Sequence, residues 1–160
     1  MRREAARYQC LSDNPWARFW RELFPAGIAA APPPLLVQTR ARSAGHYAVS
    51  RHLFEHRFFR QPLLEGDRLL ERLMWHVREY RGHLADTRAE AARRGFGYVE
   101  VCWACGDGMT AIAAALGVPL GPAVEAALPH ANRKPARYER LQVRMLEMLR
   151  RNGSREELGS

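Results

Sequence analysis

Apolar residues recur at helical spacing in three stretches of the chain. The clearest stretch, residues 67–94, repeats them every three or four positions: Leu70, Leu73, Val77, Tyr80 and Leu84. This period predicts an amphipathic helix that Asp67 caps at its start and that Gly95 ends. Residues 47–60 and 136–151 carry similar patterns, so we expect a helix in each.

The N-terminal region predicts a different kind of structure. The stretch SDNPWARFWRELF favours a short helix capped by Asn14, with an aromatic face that contains Trp16, Phe19 and Trp20. The three prolines at 32–34 forbid a helix and favour an extended arm. The aromatic face packs on the chain's own core or, alternatively, binds a protein partner.

Together these patterns predict an all-α fold in three parts. Residues 1–46 form the aromatic helix and the proline-rich arm, residues 47–151 form a helical domain, and residues 152–160 form a frayed tail. YVEVCW, residues 98–103, has a strand-like composition. One isolated strand cannot make a sheet, so no sheet is predicted.

Residues 106–132 carry the pattern of a helix-turn-helix. Ala113 is small enough for a helix crossing, and Gly117, four residues later, can adopt the positive φ of the turn. The apolar residues expected to pack on a third helix are Ile112, Leu116 and Val118. Thr110 is placed to cap or flank the first helix, and Pro119 or Pro122 to open the second.

This stretch resembles the helix-turn-helix of sigma-factor region-four domains and related bacterial regulators. The shared residues are Gly106, Ile112-Ala113, Leu116-Gly117-Val118-Pro119 and Gly121. The resemblance implies that a helix over residues 121–132 lies in the major groove of double-stranded DNA. The residues predicted to contact DNA are Thr110, Pro122, Glu125, His130, Asn132, Arg133, Lys134 and Arg137.

The charge of the chain also favours a polyanionic partner. The 160 residues include 25 Lys and Arg against 17 Asp and Glu, which gives a net charge of +8. No apolar run approaches the roughly 20 residues of a membrane helix. The first residues lack the apolar segment of a signal peptide, so we expect a cytoplasmic location. The prediction is a non-enzymatic transcriptional regulator of bacterial or phage type that binds double-stranded DNA.

Two alternatives remain open at this point. In the first, the protein is an adaptor whose Trp16, Phe19 and Trp20 bind RNA polymerase or another large protein. In the second, it is a metal or redox protein that uses the C-x-x-C pair Cys102 and Cys105. The oligomeric state is unknown, and no membrane partner is expected.

The chemistry of the C-x-x-C pair depends on its surroundings. A structural zinc ion needs four ligands, and one such pair supplies two. A thioredoxin-like use needs a strand-to-helix setting within a βαβ sheet. An odd number of cysteines argues against a disulfide framework. In the helix-turn-helix interpretation Val99, Cys102 and Trp103 share one helical face, so we favour Cys102 and Cys105 as small core-filling residues. No cofactor is predicted, with zinc as the alternative.

HLFEH, residues 52–56, matches the H-x-x-E-H pattern of inverted zinc peptidases. In that pattern His52 and His56 are metal ligands and Glu55 is the general base. The distal ligand would be Glu125. A five-residue match is common by chance, so we favour a histidine pair without a metal. His76 and His83 are predicted to lie on the surface of the long helix.

Overall fold

The computed structural model describes residues 35–106, 108–119 and 136–153. The elements, in chain order, are β1 (Leu35–Thr39), α1 (Ala44–Phe59), α2 (Gly66–Arg93), β2 (Gly97–Val101), a 3-10 turn (Trp103–Cys105), α3 (Gly108–Leu116) and α4 (Ala136–Asn152). The described part is mostly helical and contains a small parallel sheet. The predicted aromatic helix with Trp16, Phe19 and Trp20, and most of the predicted tail, lie outside the described residues.

The sheet corrects the all-α prediction. β1 and β2 pair in parallel, with Leu35 opposite Gly97 and Thr39 opposite Val101. Parallel strands need a long crossover connection, which α1 and α2 provide. β1 lies in the segment predicted to be an extended arm, and β2 replaces the helical conformation expected before Cys102. Each segment becomes a strand because the other supplies its hydrogen-bond partners.

Three predicted helices are confirmed as α1, α2 and α4, within three residues of their expected bounds. Ser43 caps α1, since its hydroxyl accepts a hydrogen bond from the His46 amide at 3.3 Å. The predicted cap of α2 is wrong. Glu65 is its N-cap residue and makes no side-chain cap hydrogen bond, whereas Asp67 lies in the first turn. There its negative charge complements the helix dipole.

α1, α2 and α4 share one apolar core. Its buried side chains include Ala48, Val49, Leu53, Leu69, Leu73, Val77, Met145 and Leu149. Tyr80 of α2 extends this core toward the sheet: its ring stacks on Tyr47 with centroids 4.1 Å apart, and its hydroxyl accepts a hydrogen bond from the Ala41 amide at 2.7 Å. The segment between β1 and α1 is therefore attached to α2.

None of the described helices is long and apolar enough to cross a membrane.

Candidate functional site

The C-x-x-C pair lies at the carboxyl end of β2. Cys102 directly follows the strand, and Cys105 ends the 3-10 turn after it. The two cysteines form a disulfide, with their Cα atoms 5.2 Å apart. The Cys105 amide donates a hydrogen bond to the Cys102 carbonyl at 2.9 Å. This disulfide corrects the expectation that the two cysteines are separate core-filling residues.

The two cysteines differ in their access to solvent. Cys102 is completely buried, whereas Cys105 is exposed. After Cys105 the chain passes through Gly106, at φ +81°, and enters α3 at Gly108. α3 packs against β2. The pair therefore lies between a strand of a parallel sheet and a helix, although the sequence predicted no sheet.

Two hydrogen bonds join the region from Val101 to Ala104 to the segment after β1. The Arg40 amide donates to the Val101 carbonyl at 2.8 Å. Nη2 of Arg42 donates to the carbonyl of Ala104, which stands between the two cysteines, at 3.0 Å. A guanidinium group is thus anchored beside the pair. Positive charge near a cysteine favours its thiolate, which is the reactive form.

α3 and the residue after it show two local features that the sequence predicted at Ala113 and Gly117. Ala113 is buried, and Gly117 has φ +66° directly after the last helical residue. The Val118 amide donates to the Ala113 carbonyl at 3.0 Å, which closes the helix C-terminus. Leu116 and Val118 are 56 % and 52 % exposed. Among the residues that the structure describes, these two side chains therefore do not pack on a third helix.

Two of the eight predicted DNA-contacting residues lie in the described part of the chain. Thr110 lies in the first turn of α3, where it is exposed rather than at a cap position, and Arg137 lies in the first turn of α4. The others lie outside the described residues: Pro122, Glu125, His130, Asn132, Arg133 and Lys134. The helix predicted over residues 121–132 lies there too.

α1 and α2 assemble a buried polar group that the sequence analysis missed. Ligand-capable atoms of His52, Glu55 and His76 all lie within 4.8 Å of one another, and these residues are only 2 %, 5 % and 2 % exposed. The prediction that His76 lies on the surface is therefore wrong, whereas His83 is exposed as predicted. The spacing of His76 from Leu73 and Tyr80 places it on the buried face, and this signal was available in the sequence.

The H-x-x-E-H arrangement is not formed. The ring nitrogen Nδ1 of His56 lies 2.7 Å from the Gln61 carbonyl and donates to it, and His56 is not among the residues whose ligand atoms cluster with Glu55. Glu125 lies outside the described residues. The partner that joins His52 and Glu55 is His76, from the neighbouring helix.

Two arginines compensate the charge of Glu55. Arg51 Nε donates to its Oε1 at 2.9 Å, and Arg72 Nη2 donates to its Oε2 at 3.1 Å. Burial raises the pKa of Glu55, but the hydrogen bond from Arg72, the charge that His76 carries once it is protonated at acidic pH, and the hydrogen bond from Arg51 together lower it below its ordinary value. Glu55 is therefore an ionised carboxylate at neutral pH.

The two buried histidines are neutral. Burial is the largest effect and lowers the pKa of both His52 and His76, against the opposing charge of Glu55. Within the described part of the chain, neither ring nitrogen of His52 has a hydrogen-bond partner. His76 Nε2 lies 3.3 Å from Glu55 Oε2 without the alignment of a hydrogen bond. The site therefore offers imidazole lone pairs beside a carboxylate.

The chain matches no protein-family model, and neither curated proteins nor solved structures include a significant match to it.

Proposed function

We propose that the protein carries out thiol–disulfide exchange with Cys102 and Cys105. The observation that carries this proposal is the disulfide between them, placed between the end of a parallel strand and a helix. C-x-x-C pairs in this setting are typical of thioredoxin-like redox sites. The difference in burial assigns the roles: exposed Cys105 reacts with the partner, and buried Cys102 resolves the intermediate.

The short spacing of the pair also favours exchange over a structural role. A cross-link stabilises mainly by restricting the unfolded chain, and its effect grows with loop length. From the loss of chain entropy, the loop from Cys102 to Cys105 contributes about 2 kcal/mol, against about 4.7 kcal/mol for a 100-residue loop. This disulfide therefore adds little to the stability of the fold compared with a disulfide that closes a long loop.

The exchange proceeds in two steps. In the reduced protein, the Cys105 thiolate attacks a disulfide of the partner, so that one partner sulfur leaves as a thiolate and a mixed disulfide forms. The Cys102 thiolate then attacks Cys105 Sγ, which releases the second partner sulfur as a thiolate and forms the intramolecular disulfide. The protein has then lost two electrons and the partner has gained them. Arg42 favours the attacking thiolate through its charge.

Equilibration with glutathione tests the proposal. The protein carries Cys10→Ser, so that only the pair reacts, and free thiols are counted by mass after alkylation. We expect a reduction potential between about −270 and −180 mV, the range from thioredoxin to protein disulfide isomerase. A value below about −300 mV, typical of a structural disulfide, would contradict the proposal.

Single-cysteine variants test the assigned roles. In the same Cys10→Ser protein, Cys102→Ser leaves the exposed Cys105 and should accumulate a mixed disulfide with oxidised glutathione. Cys105→Ser leaves the buried Cys102. Its rate of mixed-disulfide formation should be at most about one tenth of that of Cys102→Ser, because the attack requires access of the thiolate to the partner disulfide. Equal rates would refute the assignment. One zinc ion per reduced chain, lost with either substitution, would instead identify a metal-binding pair.

Binding of double-stranded DNA is a second candidate function, supported by α3 and by the charge of α4. α3 and Gly117 match the first half of a helix-turn-helix. The exposed side chains of α4 include four arginines and two glutamates: Arg140, Arg144, Arg150, Arg151, Glu139 and Glu147. In this proposal α4 contacts phosphates, while residues 121–132 lie in the major groove.

The salt dependence of DNA binding tests this second function. Replacing Arg140 and Arg144 with Ala should reduce the slope of log affinity against log salt by about 0.9 per phosphate contact. Arg93→Ala is the control, because Glu90 already pairs with Arg93 at 2.7 Å. Undetectable binding at low salt would remove this candidate. The adaptor with Trp16, Phe19 and Trp20 stays a prediction.

A further inference from the structure

We propose that His52, Glu55 and His76 form a binding site for a divalent transition-metal ion of the Zn²⁺ type. Two ligands of a tetrahedral zinc ion, each about 2.1 Å from it, lie about 3.4 Å apart. His76 Nε2 and Glu55 Oε2 already lie 3.3 Å apart, and all three ligand atoms are within 4.8 Å. Small side-chain rotations are therefore enough to close the site around an ion.

The unpaired nitrogens of His52 are a second, independent observation. A neutral imidazole has one N–H group and one lone pair, and both are normally paired when buried. His52 is 2 % exposed, and among the described residues neither of its nitrogens has a hydrogen-bond partner. A metal ion would bind the lone pair of one nitrogen. Burial without such a ligand costs free energy.

A metal ion would have to displace Arg72 from Glu55. Arg51 and Arg72 approach the carboxylate from the surface, with 42 % and 34 % of their side chains exposed. Arg72 donates to Oε2, the oxygen nearest His76, so it competes directly with a metal ion there. Its guanidinium also lies 4.7 Å from the centre of the Trp75 ring. Arg72 can therefore leave Glu55 and keep this cation–π contact.

The donor set indicates the class of ion. Two imidazole nitrogens and one carboxylate oxygen suit Zn²⁺ and the neighbouring divalent transition metals better than Ca²⁺ or Mg²⁺, which prefer oxygen ligands. Three protein ligands leave the fourth tetrahedral position to an exogenous ligand. The ligands come from α1 and α2, so a bound ion would join these two helices.

A titration with Co²⁺, whose visible spectrum reports tetrahedral coordination, tests the site. Cys10, Cys102 and Cys105 are replaced by Ser so that no thiol binds the ion, and circular dichroism checks the fold. We expect one equivalent of Co²⁺, displaced by Zn²⁺. In this background His52→Gln and His76→Gln should lose affinity by more than the roughly 10–100-fold that an outer-shell change costs. His56→Gln and His83→Gln, on the same two helices, are the matched controls.

Arg72→Gln gives a test that does not depend on variants that lose a ligand. Removing this competing cation should tighten Zn²⁺ binding roughly tenfold or more, the scale of one charge-assisted hydrogen bond. A structural ion pair without metal binding predicts no such gain. The proposal is overturned if the chain binds no stoichiometric Co²⁺, if the control histidines matter as much as His52 and His76, or if Arg72→Gln leaves the affinity unchanged.

Discussion

Replacing Thr87 with Val should stabilise the protein. Thr87 lies in α2 with 1 % of its surface exposed, and its hydroxyl has no hydrogen-bond partner among the residues that the structure describes. Val has nearly the same shape, so the substitution removes the hydroxyl without creating a cavity. An unpaired buried polar group costs about 1–3 kcal/mol, and Val and Thr have similar helix propensities. We expect the free energy of unfolding to rise by about 1–2 kcal/mol.

Urea denaturation followed by circular dichroism measures this change. The midpoint should increase while the dependence on urea stays constant, because the surface exposed on unfolding hardly changes. Thr110→Val is the matched control, since Thr110 is exposed on α3. Its effect should stay within about 0.5 kcal/mol. A loss of stability in Thr87→Val would show that the hydroxyl has a partner in solution, and the reasoning would then be refuted.

Two further predictions concern protonation and backbone conformation. Burial lowers the pKa of His52 and His76 below 6.5, so the unfolded chain binds protons first as the pH falls. In the presence of a metal chelator, the free energy of unfolding should therefore be lower at about pH 5.5 than at about pH 7.5. Equal free energies of unfolding at the two pH values would contradict this prediction. Gly117→Ala should cost about 1–2 kcal/mol in urea denaturation, because Gly117 has φ +66° while its added Cβ would meet no atom within 4 Å. The same change at Gly82, inside α2 and equally unobstructed, should instead stabilise by about 0.5–1 kcal/mol. Equal effects at both glycines would refute the conformational explanation.

The helices follow from local patterns, and so does the turn after α3. The period that contains Leu73 and Val77 predicted α2, and the spacing of Ala113 and Gly117 predicted the buried position and the positive φ. These features are encoded within a few turns of one helix, because side chains three or four positions apart share a face. A single sequence is sufficient to recognise them.

The sheet and both candidate sites depend on contacts between distant segments. Leu35–Thr39 follows three prolines and has no strand partner nearby in the chain, so its pairing with β2 could not be inferred from local pattern. Because no sheet was predicted, the position of Cys102 and Cys105 at the end of a parallel strand was not predicted either. The same C-x-x-C spacing suits core packing, metal binding or redox chemistry, and the structure joins the two cysteines in a disulfide at the end of β2.

The buried polar group of His52, Glu55 and His76 also depends partly on local sequence and partly on the tertiary structure. The sequence places His52 and Glu55 on one face of α1, as their spacing of three requires, and it places His76 on the face of α2 that contains Leu73. Which residue of α2 then lies beside Glu55 depends on how the two helices cross. Helix packing is determined by the shape and burial of many side chains at once, so only the tertiary structure joins His76, rather than His56, to His52 and Glu55.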